Sequence, residues 1–382
     1  MSSLLHGQLW DQRADVGMAL LDATGFAVGE HGFVFGGHDG ATAQNILWRY
    51  TPSLDVWGSA GTFPGTIARA CAGAALDGKG YVYGGRTGVG GQYSSALWSF
   101  DASTFQWTRK ASKPGVGLAY SSAFSMNGIL YVFGGSTPSN SYSNELWAYD
   151  PGTDQWTIRA SLPAAGRSGT IALSLGGKGY IIGGNDASAN FASRDVWEYD
   201  PAIDSWTRKS DMPGPERRTG CGFVLGGLAY AGGGWDGSDR FTDFYSYDPL
   251  TDVWTAISDF GGFGTYTPVG FATDNAGYVA TGGASSGASA QCWAYVKGAI
   301  GLQEQADERF RPFRNGSEIV VDGWKQGRVG RFRVMDTDGR MVAEGSITRG
   351  RIALGAVANG TYVLNLIEPN GALFSWKFVV LE

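Results

Sequence analysis

The sequence has little cysteine and histidine and no long apolar run. Its 382 residues include three cysteines, Cys71, Cys221 and Cys292. Their odd number and the lack of any Cys-x-x-Cys spacing predict small residues buried in strands, not a disulfide or metal framework. No stretch of about 18 apolar residues occurs, which argues against a membrane span. The N-terminal residues 1–13 lack the basic and apolar regions of a signal peptide, so we expect any export signal to have been removed or to lie upstream.

Basic residues are also scarce. The formal net charge is −6, and residues 1–300 hold 18 Lys and Arg against 25 Asp and Glu. Without a basic stripe, nucleic acid is not an expected partner.

Glycine and aromatic residues are abundant instead, and they recur with a period. A double glycine returns six times at steps of 48 to 50 residues, and a tryptophan follows in most units. The double glycines are Gly36-Gly37, Gly84-Gly85, Gly134-Gly135, Gly183-Gly184, Gly233-Gly234 and Gly282-Gly283. The recurring tryptophans are Trp10, Trp57, Trp107, Trp156, Trp206 and Trp254.

Each unit contains four short apolar runs separated by turn residues such as Asp77-Gly78 and Asn127-Gly128, which predicts four strands. This pattern resembles the kelch repeat, so the resemblance implies an all-β, six-bladed kelch β-propeller over residues 1–297. Trp10 has no double glycine before it, and the sixth unit has no closing tryptophan. We therefore expect the N-terminal strand to complete the last blade, which would leave no open sheet edge.

The kelch pattern stops after Tyr295. Residues 298–311 are predicted to be a linker, and residues 312–382 to form a small Ig-like β-sandwich, because apolar and polar residues alternate there. Examples are Phe332 and Val334, which alternate with Arg331 and Arg333.

The motifs of this tail are similar to the C-terminal sorting domain of the bacterial type IX secretion system. They are Val334-Met-Asp-Thr-Asp-Gly-Arg340, Ile352-Ala-Leu354, Asn359-Gly-Thr-Tyr-Val-Leu364 and Trp376-Lys-Phe-Val-Val380. The resemblance implies contact with the secretion machinery and a secreted or outer-membrane surface location in a bacterium. An ordinary Ig-like accessory domain is the alternative.

Two further motifs are interpreted as turns. Gly73 to Lys79 fits most of a phosphate-binding loop, but Gly80 replaces the Ser/Thr and no helix is predicted after it, so a hairpin turn is expected. The Tyr-Asp-Pro-x-x-Asp-x-Trp segment, as at Asp150 to Trp156, recurs in several units, which favours turn chemistry over a single acid–base or calcium site.

In kelch propellers, ligands usually meet the loops after the double glycine and the segments that enter each inner strand. These positions differ from unit to unit here, so we expect a ligand-binding mouth. The loop candidates are His38, Asp39, Arg86, Asn185, Asp186, Trp235 and Asp236. The strand-entry candidates are Arg69, Tyr120, Arg167, Arg218 and Tyr266. Such a mouth would suit a sugar or a small acidic ligand. The alternative is that these arginines pair with carboxylates or carbonyls of neighbouring blades.

The residue inventory bears on enzyme function. Galactose oxidase-like propellers need two histidine ligands for copper, and only His6, His31 and His38 are present, so no metal or cofactor is expected. Serine nucleophile and HExxH motifs are absent. We therefore predict a non-catalytic binding module for a glycan or a protein. The alternatives are a sugar-processing enzyme similar to the sialic acid mutarotases, using Arg86, Arg167, Arg218 and Asp186 or Asp236, and a cytoplasmic kelch scaffold.

Overall fold

A computed structural model describes most of the first 296 residues and seven strands of the tail. The described residues are 10–66, 68–87, 91–186, 192–273, 276–296, 311–315, 318–322, 330–336, 341–347, 351–353, 360–367 and 373–380. The chain divides into two compact units, residues 8–297 and residues 298–382 with 1–7. The described residues form strands, turns and loops without any helix. None of them therefore forms a helix able to cross a membrane.

The larger unit contains strands β1 to β29. The first fifteen are β1 Trp10–Arg13, β2 Thr24–Val28, β3 His31–Phe35, β4 Ile46–Thr51, β5 Val56–Thr62, β6 Ala68–Arg69, β7 Ala72–Leu76, β8 Lys79–Tyr83, β9 Arg86–Thr87, β10 Leu97–Asp101, β11 Gln106–Lys110, β12 Ser122–Met126, β13 Ile129–Phe133, β14 Leu146–Asp150 and β15 Gln155–Arg159. The others are β16 Arg167–Ser168, β17 Ile171–Leu175, β18 Lys178–Asp186, β19 Ser193–Asp200, β20 Ser205–Lys209, β21 Cys221–Leu225, β22 Leu228–Gly232, β23 Phe244–Asp248, β24 Val253–Ala256, β25 Val269–Thr273, β26 Ala276–Ala280, β27 Gly283–Ala284, β28 Gly287–Ala288 and β29 Cys292–Val296.

Most of these strands build six antiparallel sheets, which we number in chain order; of the short strands, β6 pairs with β9, β27 with β28, and β16 with β18. In strand order from the inside outward they are sheet 1 (β2-β3-β4-β5), sheet 2 (β7-β8-β10-β11), sheet 3 (β12-β13-β14-β15), sheet 4 (β17-β18-β19-β20), sheet 5 (β21-β22-β23-β24) and sheet 6 (β25-β26-β29-β1). The inner strand of each sheet contacts that of the next, and β25 contacts β2. The six inner strands therefore form a closed ring, as in a propeller.

The N-terminal strand completes sheet 6. Trp10 pairs with Tyr295 and Arg13 with Cys292. The Trp10 ring is 2% exposed, packs edge-on against Phe244 of sheet 5, and donates its indole N–H to the carbonyl of Ser258 at 3.0 Å. The first and last parts of this unit are thus joined by both backbone and side-chain contacts.

A ring of backbone hydrogen bonds joins the sheets near the axis. One residue of each sheet, two positions before its inner strand, has a φ between 52° and 61°. Its N–H donates to the carbonyl of the equivalent residue in the preceding sheet over 2.7–2.9 Å, and the Asp22 N–H closes the ring on the Thr267 hydroxyl at 3.1 Å. The six residues are Asp22, Ala70, Tyr120, Gly169, Thr219 and Thr267. We call them the axial ring.

Turn chemistry follows the sequence in most units. Asp77 and Gly78 have φ values of 50° and 74°, which confirms the predicted hairpin in place of a phosphate-binding loop.

In the sixth unit the pair of residues with positive φ begins one residue before the double glycine. The two residues with positive φ there are Thr281 and Gly282, at 59° and 98°, whereas the φ of Gly283 is not positive. Gly283 is therefore the first residue of the loop, and it contributes no side chain.

The recurrent Tyr-Asp-Pro-x-x-Asp-x-Trp segment has two roles. Its first aspartate caps the turn, as predicted: Asp150 accepts the N–H of Gly152 at 2.8 Å. Its second aspartate links neighbouring sheets, which was not predicted. Asp154 accepts the Tyr149 hydroxyl at 2.6 Å and the N–H of Ala111, which follows the outer strand of the preceding sheet.

The closing tryptophan completes this arrangement, since Trp156 donates its indole N–H to the carbonyl of Ala111 at 2.8 Å. We call such a set of four residues a latch. Four sheets contain one: Tyr50, Asp55, Ala14 and Trp57 in sheet 1; Tyr149, Asp154, Ala111 and Trp156 in sheet 3; Tyr199, Asp204, Ala160 and Trp206 in sheet 4; Tyr247, Asp252, Ser210 and Trp254 in sheet 5. The latches are the structural reason for the repeated motif.

The three cysteines are free thiols. Cys221 and Cys292 are buried in strands, as predicted, whereas Cys71 lies one residue before β7 and is partly exposed. Burial raises the pKa of the Cys71 thiol to about 12. It is therefore protonated and unreactive at neutral pH.

The smaller unit contains two antiparallel sheets. One is β30 Arg311–Asn315, β31 Glu318–Asp322 and β34 Arg351–Ala353; the other is β32 Gly330–Asp336, β33 Met341–Ile347, β35 Gly360–Ile367 and β36 Leu373–Val380. In β32, Phe332 and Val334 are buried while Arg331 and Arg333 are exposed, as the alternation predicts. Arg311, the last residue of the predicted linker, begins β30, and the rest of the linker and the side chains of the Trp376 motif lie outside the described residues.

Candidate functional site

Bridged rows of residues surround one end of the axis. Each row starts with the residue just before the axial-ring residue. It pairs with the residue just after the two consecutive residues of positive φ, and in most rows this second residue also pairs with a third one at the far end of the loop that follows. We number these mouth rows by sheet. They are row 1 Leu21, His38, Ala43; row 2 Arg69, Arg86, Tyr93; row 3 Ala119, Ser136, Tyr142; row 4 Ser168, Asn185; row 5 Arg218, Trp235, Arg240; row 6 Tyr266, Gly283, Ala288.

The rows border a cavity on the axis. It is lined by the axial ring and the first residues of the inner strands, including Asp22, Tyr120 and Thr219, and measures about 160 Å³. Drug-sized ligands usually occupy pockets of roughly 300 Å³ or more. The axial cavity is therefore smaller than a typical pocket for a drug-sized ligand.

A buried carboxylate occupies one side of the mouth. Asp22 is 6% exposed, and its Oδ2 accepts the Tyr120 hydroxyl at 2.8 Å and an Arg69 N–H at 3.2 Å. The Nε2 of His38 lies 3.5 Å from the same oxygen and 2.9 Å from Arg69 Nη1. Burial, and next the Asp22 charge, raise the pKa of Tyr120, so this hydroxyl stays protonated at neutral pH. We call Asp22, His38, Arg69 and Tyr120 the carboxylate cluster.

Arg86 lies beside this cluster in row 2. Its guanidinium stands 4.8 Å from the ring centroid of Tyr93, donates to the Tyr93 hydroxyl, and lies 5.8 Å from the Tyr120 ring. No carboxylate is within ion-pair distance of Arg86 among the described residues. Its charge is balanced locally only by aromatic faces.

An aromatic strip occupies another part of the mouth, in rows 5 and 6. Arg218 lies 4.5 Å from the centroid of the Trp235 ring, the Trp235 and Tyr266 rings are 5.8 Å apart, and Arg240 lies 5.1 Å from the Tyr266 centroid. All four side chains are partly exposed. Arginine guanidinium groups and flat aromatic faces are suited to acidic and ring-shaped ligands.

Three of the predicted site residues lie in a buried network. Arg167 is 3% exposed and donates to Asp195 and, at 3.3 Å, to Asp186. Burial alone would raise the pKa of Asp195, but the bonds from Arg167 outweigh it and hold that pKa below its ordinary value. Asn185 is also buried and donates to the Tyr142 hydroxyl at 2.6 Å. Arg167 and Asp186 thus pair within sheet 4, and not with a neighbouring blade as the alternative had it, whereas Arg69 donates to Asp22 of sheet 1.

The repeat register explains why Arg167 differs from the other arginines. Arg167 stands two residues before the axial ring, as does Arg217, which is 1% exposed and paired with Asp243 at 2.7 Å. Arg69 and Arg218 stand one residue before the axial ring. Side chains alternate along an extended segment, so a shift of one residue turns an arginine from the mouth into the interior.

Asp39 and Asp236 cap their own loops. Asp39 accepts the N–H groups of Thr42 and Ala41, which lower its pKa, and Asp236 accepts those of Asp239 and Ser238 with the same effect. Both carboxylates are occupied by turn geometry.

The sequence reasoning missed Asp22, Tyr93 and Arg240. Each axial-ring residue stands 14 positions before the first of the two consecutive residues of positive φ, and this spacing could have found Asp22. Tyr93 and Arg240 follow loops of different lengths, so no fixed spacing marks them. Among the described residues, no group of three or more His, Cys, Asp or Glu side chains could hold a metal ion.

The closed ring of antiparallel sheets and the mouth rows define a propeller-like protein of the kelch type. The family model described as the KLHDC2/KLHL20/DRC7 Kelch-repeats domain matches residues 71–268, and the chain belongs to that family. No curated protein matches the chain. Among solved structures, that of YjhT is 18% identical, with a TM-score of 0.60, and the match covers 72% of this chain and 94% of that one. This likeness shows the fold.

Proposed function

We propose that this chain is a six-bladed kelch propeller that binds an acidic glycan across its mouth and is displayed at a bacterial cell surface through its C-terminal unit. The single observation that carries the binding proposal is Arg86. This partly buried cation sits at the mouth, stacked on Tyr93, with no carboxylate partner among the described residues. Desolvating a cation without a counter-ion is costly, so an anionic ligand is the natural partner.

A sugar acid suits the mouth better than a simple inorganic anion. The carboxylate cluster provides hydroxyl and imidazole groups near Arg86, while Trp235 and Tyr266 provide ring faces. Ring faces of sugars pack on aromatic side chains, and a carboxylate pairs with a guanidinium through two parallel hydrogen bonds. A protein partner is the competing outcome of the test below.

The test is calorimetric titration of the full chain with glucuronate, galacturonate and N-acetylneuraminate, and with glucose and galactose as neutral counterparts. We expect the sugar acids to bind, and the Arg86→Gln variant to bind them at least about tenfold more weakly than the wild type. Arg49→Gln is the matched control, because Arg49 also stacks on an aromatic ring, Phe105, but belongs to no mouth row. Equal binding of acidic and neutral sugars, or no binding of either, would overturn the proposal and favour a protein ligand.

A second candidate function is a sugar-processing enzyme. The observation that favours it is the carboxylate cluster, where a buried carboxylate, a tyrosine hydroxyl and an imidazole meet at the mouth. Such groups can transfer protons to and from a sugar ring oxygen. If this reading holds, NMR of a freshly dissolved sugar acid will show faster anomer interconversion with the wild type than with Asp22→Asn. Equal rates for both proteins would contradict the catalytic proposal and leave ligand binding as the proposed function.

The surface location rests on the similarity of the tail to type IX sorting domains, and the described parts of the four motifs belong to β32, β34, β35 and β36. The test fuses a signal peptide, a reporter and residues 298–382 in a bacterium with a type IX system and in its secretion-deficient mutant. We expect the reporter outside the cell only in the first strain. A periplasmic reporter in both strains would contradict the proposal.

A further inference from the structure

We infer that the ligand of the mouth carries two anionic groups on a chain long enough to cross the axial opening, as in an oligosaccharide of uronic acids. This inference rests on the proposed function and specifies its ligand. Its basis is a second arginine, Arg240 in row 5, whose surroundings match those of Arg86 in row 2.

Arg86 and Arg240 share three features. Both are partly exposed and stacked on a tyrosine ring, at 4.8 Å and 5.1 Å respectively. Among the described residues neither has a carboxylate within ion-pair distance, and the Nε atom of each is buried without a hydrogen-bond partner, a feature that Arg69 and Arg167 also have. By contrast, Arg69, Arg167 and Arg217 each donate to an aspartate.

The fold separates these two cations. Rows 2 and 5 belong to sheets that are three apart in either direction around a ring of six, so they face each other across the axis. Between them, rows 3 and 4 offer small or uncharged side chains: Ala119, Ser136 and Tyr142, then Ser168 and Asn185. A single carboxylate cannot pair with guanidinium groups on opposite sides of the axial opening.

Acidic side chains near the mouth do not replace the missing partners. Asp22 is occupied by Arg69 and Tyr120, and Asp39 and Asp236 accept loop N–H groups. Asp195 and Asp243 pair with the buried Arg167 and Arg217. Two anionic groups on one ligand would satisfy both Arg86 and Arg240.

The aromatic strip indicates what connects the anionic groups. Trp235 and Tyr266 present adjoining rings beside Arg240, and the Trp235 indole nitrogen is buried without a hydrogen-bond partner among the described residues. A sugar ring packs its C–H face on such rings. A chain of acidic sugars therefore fits better than two separate anions.

The experiment titrates the full chain with galacturonate and with oligogalacturonates of increasing length, using maltooligosaccharides of equal length as neutral controls. Two anchors on one chain act intramolecularly, so we expect affinity to rise steeply once the oligomer spans the opening. Arg86→Gln and Arg240→Gln should each weaken the longest oligomer at least about tenfold, whereas Arg49→Gln should match the wild type. Melting temperatures check that each variant is folded.

Three outcomes would overturn the inference. If Arg240→Gln binds the longest oligomer like the wild type while Arg86→Gln does not, there is no second anionic subsite, and the proposed function stands. If neither variant affects binding, or no acid binds, both proposals fall. If Arg49→Gln weakens binding as much as Arg240→Gln, the effect is one of total charge and not of the mouth.

Discussion

The two ends of the sheets contrast sharply. At the latch end, four sheets use the same tyrosine, aspartate and tryptophan, with Tyr–Asp distances of 2.6–2.7 Å. At the mouth end, no two of the six rows have the same side chains. The latches join neighbouring sheets by satisfying a backbone N–H and a carbonyl, a need common to every seam. The mouth rows hold side chains that the fold does not require, so these positions can vary to suit a ligand.

This contrast can be tested first on the arginines. Arg167→Met should destabilise the protein by about 3–5 kcal/mol, because it removes the two close hydrogen bonds to the buried Asp195 and leaves only the exposed Arg208, 3.5 Å away, as its cation. Arg86→Gln should change the free energy of unfolding by no more than about 0.5 kcal/mol. Urea unfolding measures both, and Arg167→Met with Asp195→Asn should recover part of the loss. Equal effects of the two arginine variants would remove the distinction between structural and recognition arginines.

Acid should act together on the three latches that contain Asp154, Asp204 and Asp252, and so more strongly than the loss of any one of them. The Ala111 N–H and the Tyr149 hydroxyl hold the pKa of Asp154 below its ordinary value. Burial alone would raise the pKa values of Asp204 and Asp252, but hydrogen bonds from a tyrosine hydroxyl and a backbone N–H outweigh burial and hold both pKa values below the ordinary one. A folded-state pKa below the unfolded value means that stability is fully present above about pH 5. It is lost as pH falls through about 4 and below. Urea unfolding at pH 6, 4 and 3 measures the fall.

A single latch should contribute less. Asp154→Asn removes the negative charge that accepts two hydrogen bonds, and we expect a loss of about 1–2 kcal/mol. The variant should also show a shallower loss of stability with acid than the wild type. Asp150→Asn, which changes only the exposed turn cap, is the control and should cost less than about 1 kcal/mol. If the two variants behave alike, Asp154 is no more than a turn residue.

Sheet 2 allows the smallest and sharpest test, because its seam with sheet 1 lacks a latch. Phe100 and Phe105 stand where other sheets have tyrosine and aspartate, and the indole nitrogen of Trp107 is buried without a partner among the described residues. Phe100→Tyr and Phe105→Asp should each destabilise alone. Together they should recover about 1 kcal/mol through the new hydrogen bond. Strictly additive effects would show that the tyrosine–aspartate contact has no stabilising value of its own.

Much of the fold could be predicted from local sequence. The period of the glycine pairs placed the strands, and Asp77-Gly78 and Asn127-Gly128 form the expected left-handed turns. The sixth pair was misplaced by one residue because Thr281 takes a conformation that threonine rarely adopts. The residue type at position 281 therefore does not reveal the positive φ of the backbone there.

The site could be predicted only in part. His38, Arg69, Arg86, Tyr120, Arg218, Trp235 and Tyr266 lie at the mouth. Arg167 was expected beside them, but it pairs with Asp195, which follows 28 residues later in the chain. Whether an arginine is already neutralised depends on partners that the backbone brings back from a distance.

The sequence by itself determined the repeat, the strands within each unit and the turns between them, since these depend on hydrophobic alternation and on residues that tolerate positive φ. Only the tertiary structure decided that the carbonyl of Ser258 meets the indole of Trp10, 248 residues away, and that Asp22 closes the axial ring. It also decided that Arg86 and Arg240 lie on opposite sides of the axis without carboxylate partners among the described residues. Charge pairing and ring closure depend on distances through space, which no local pattern of residues specifies.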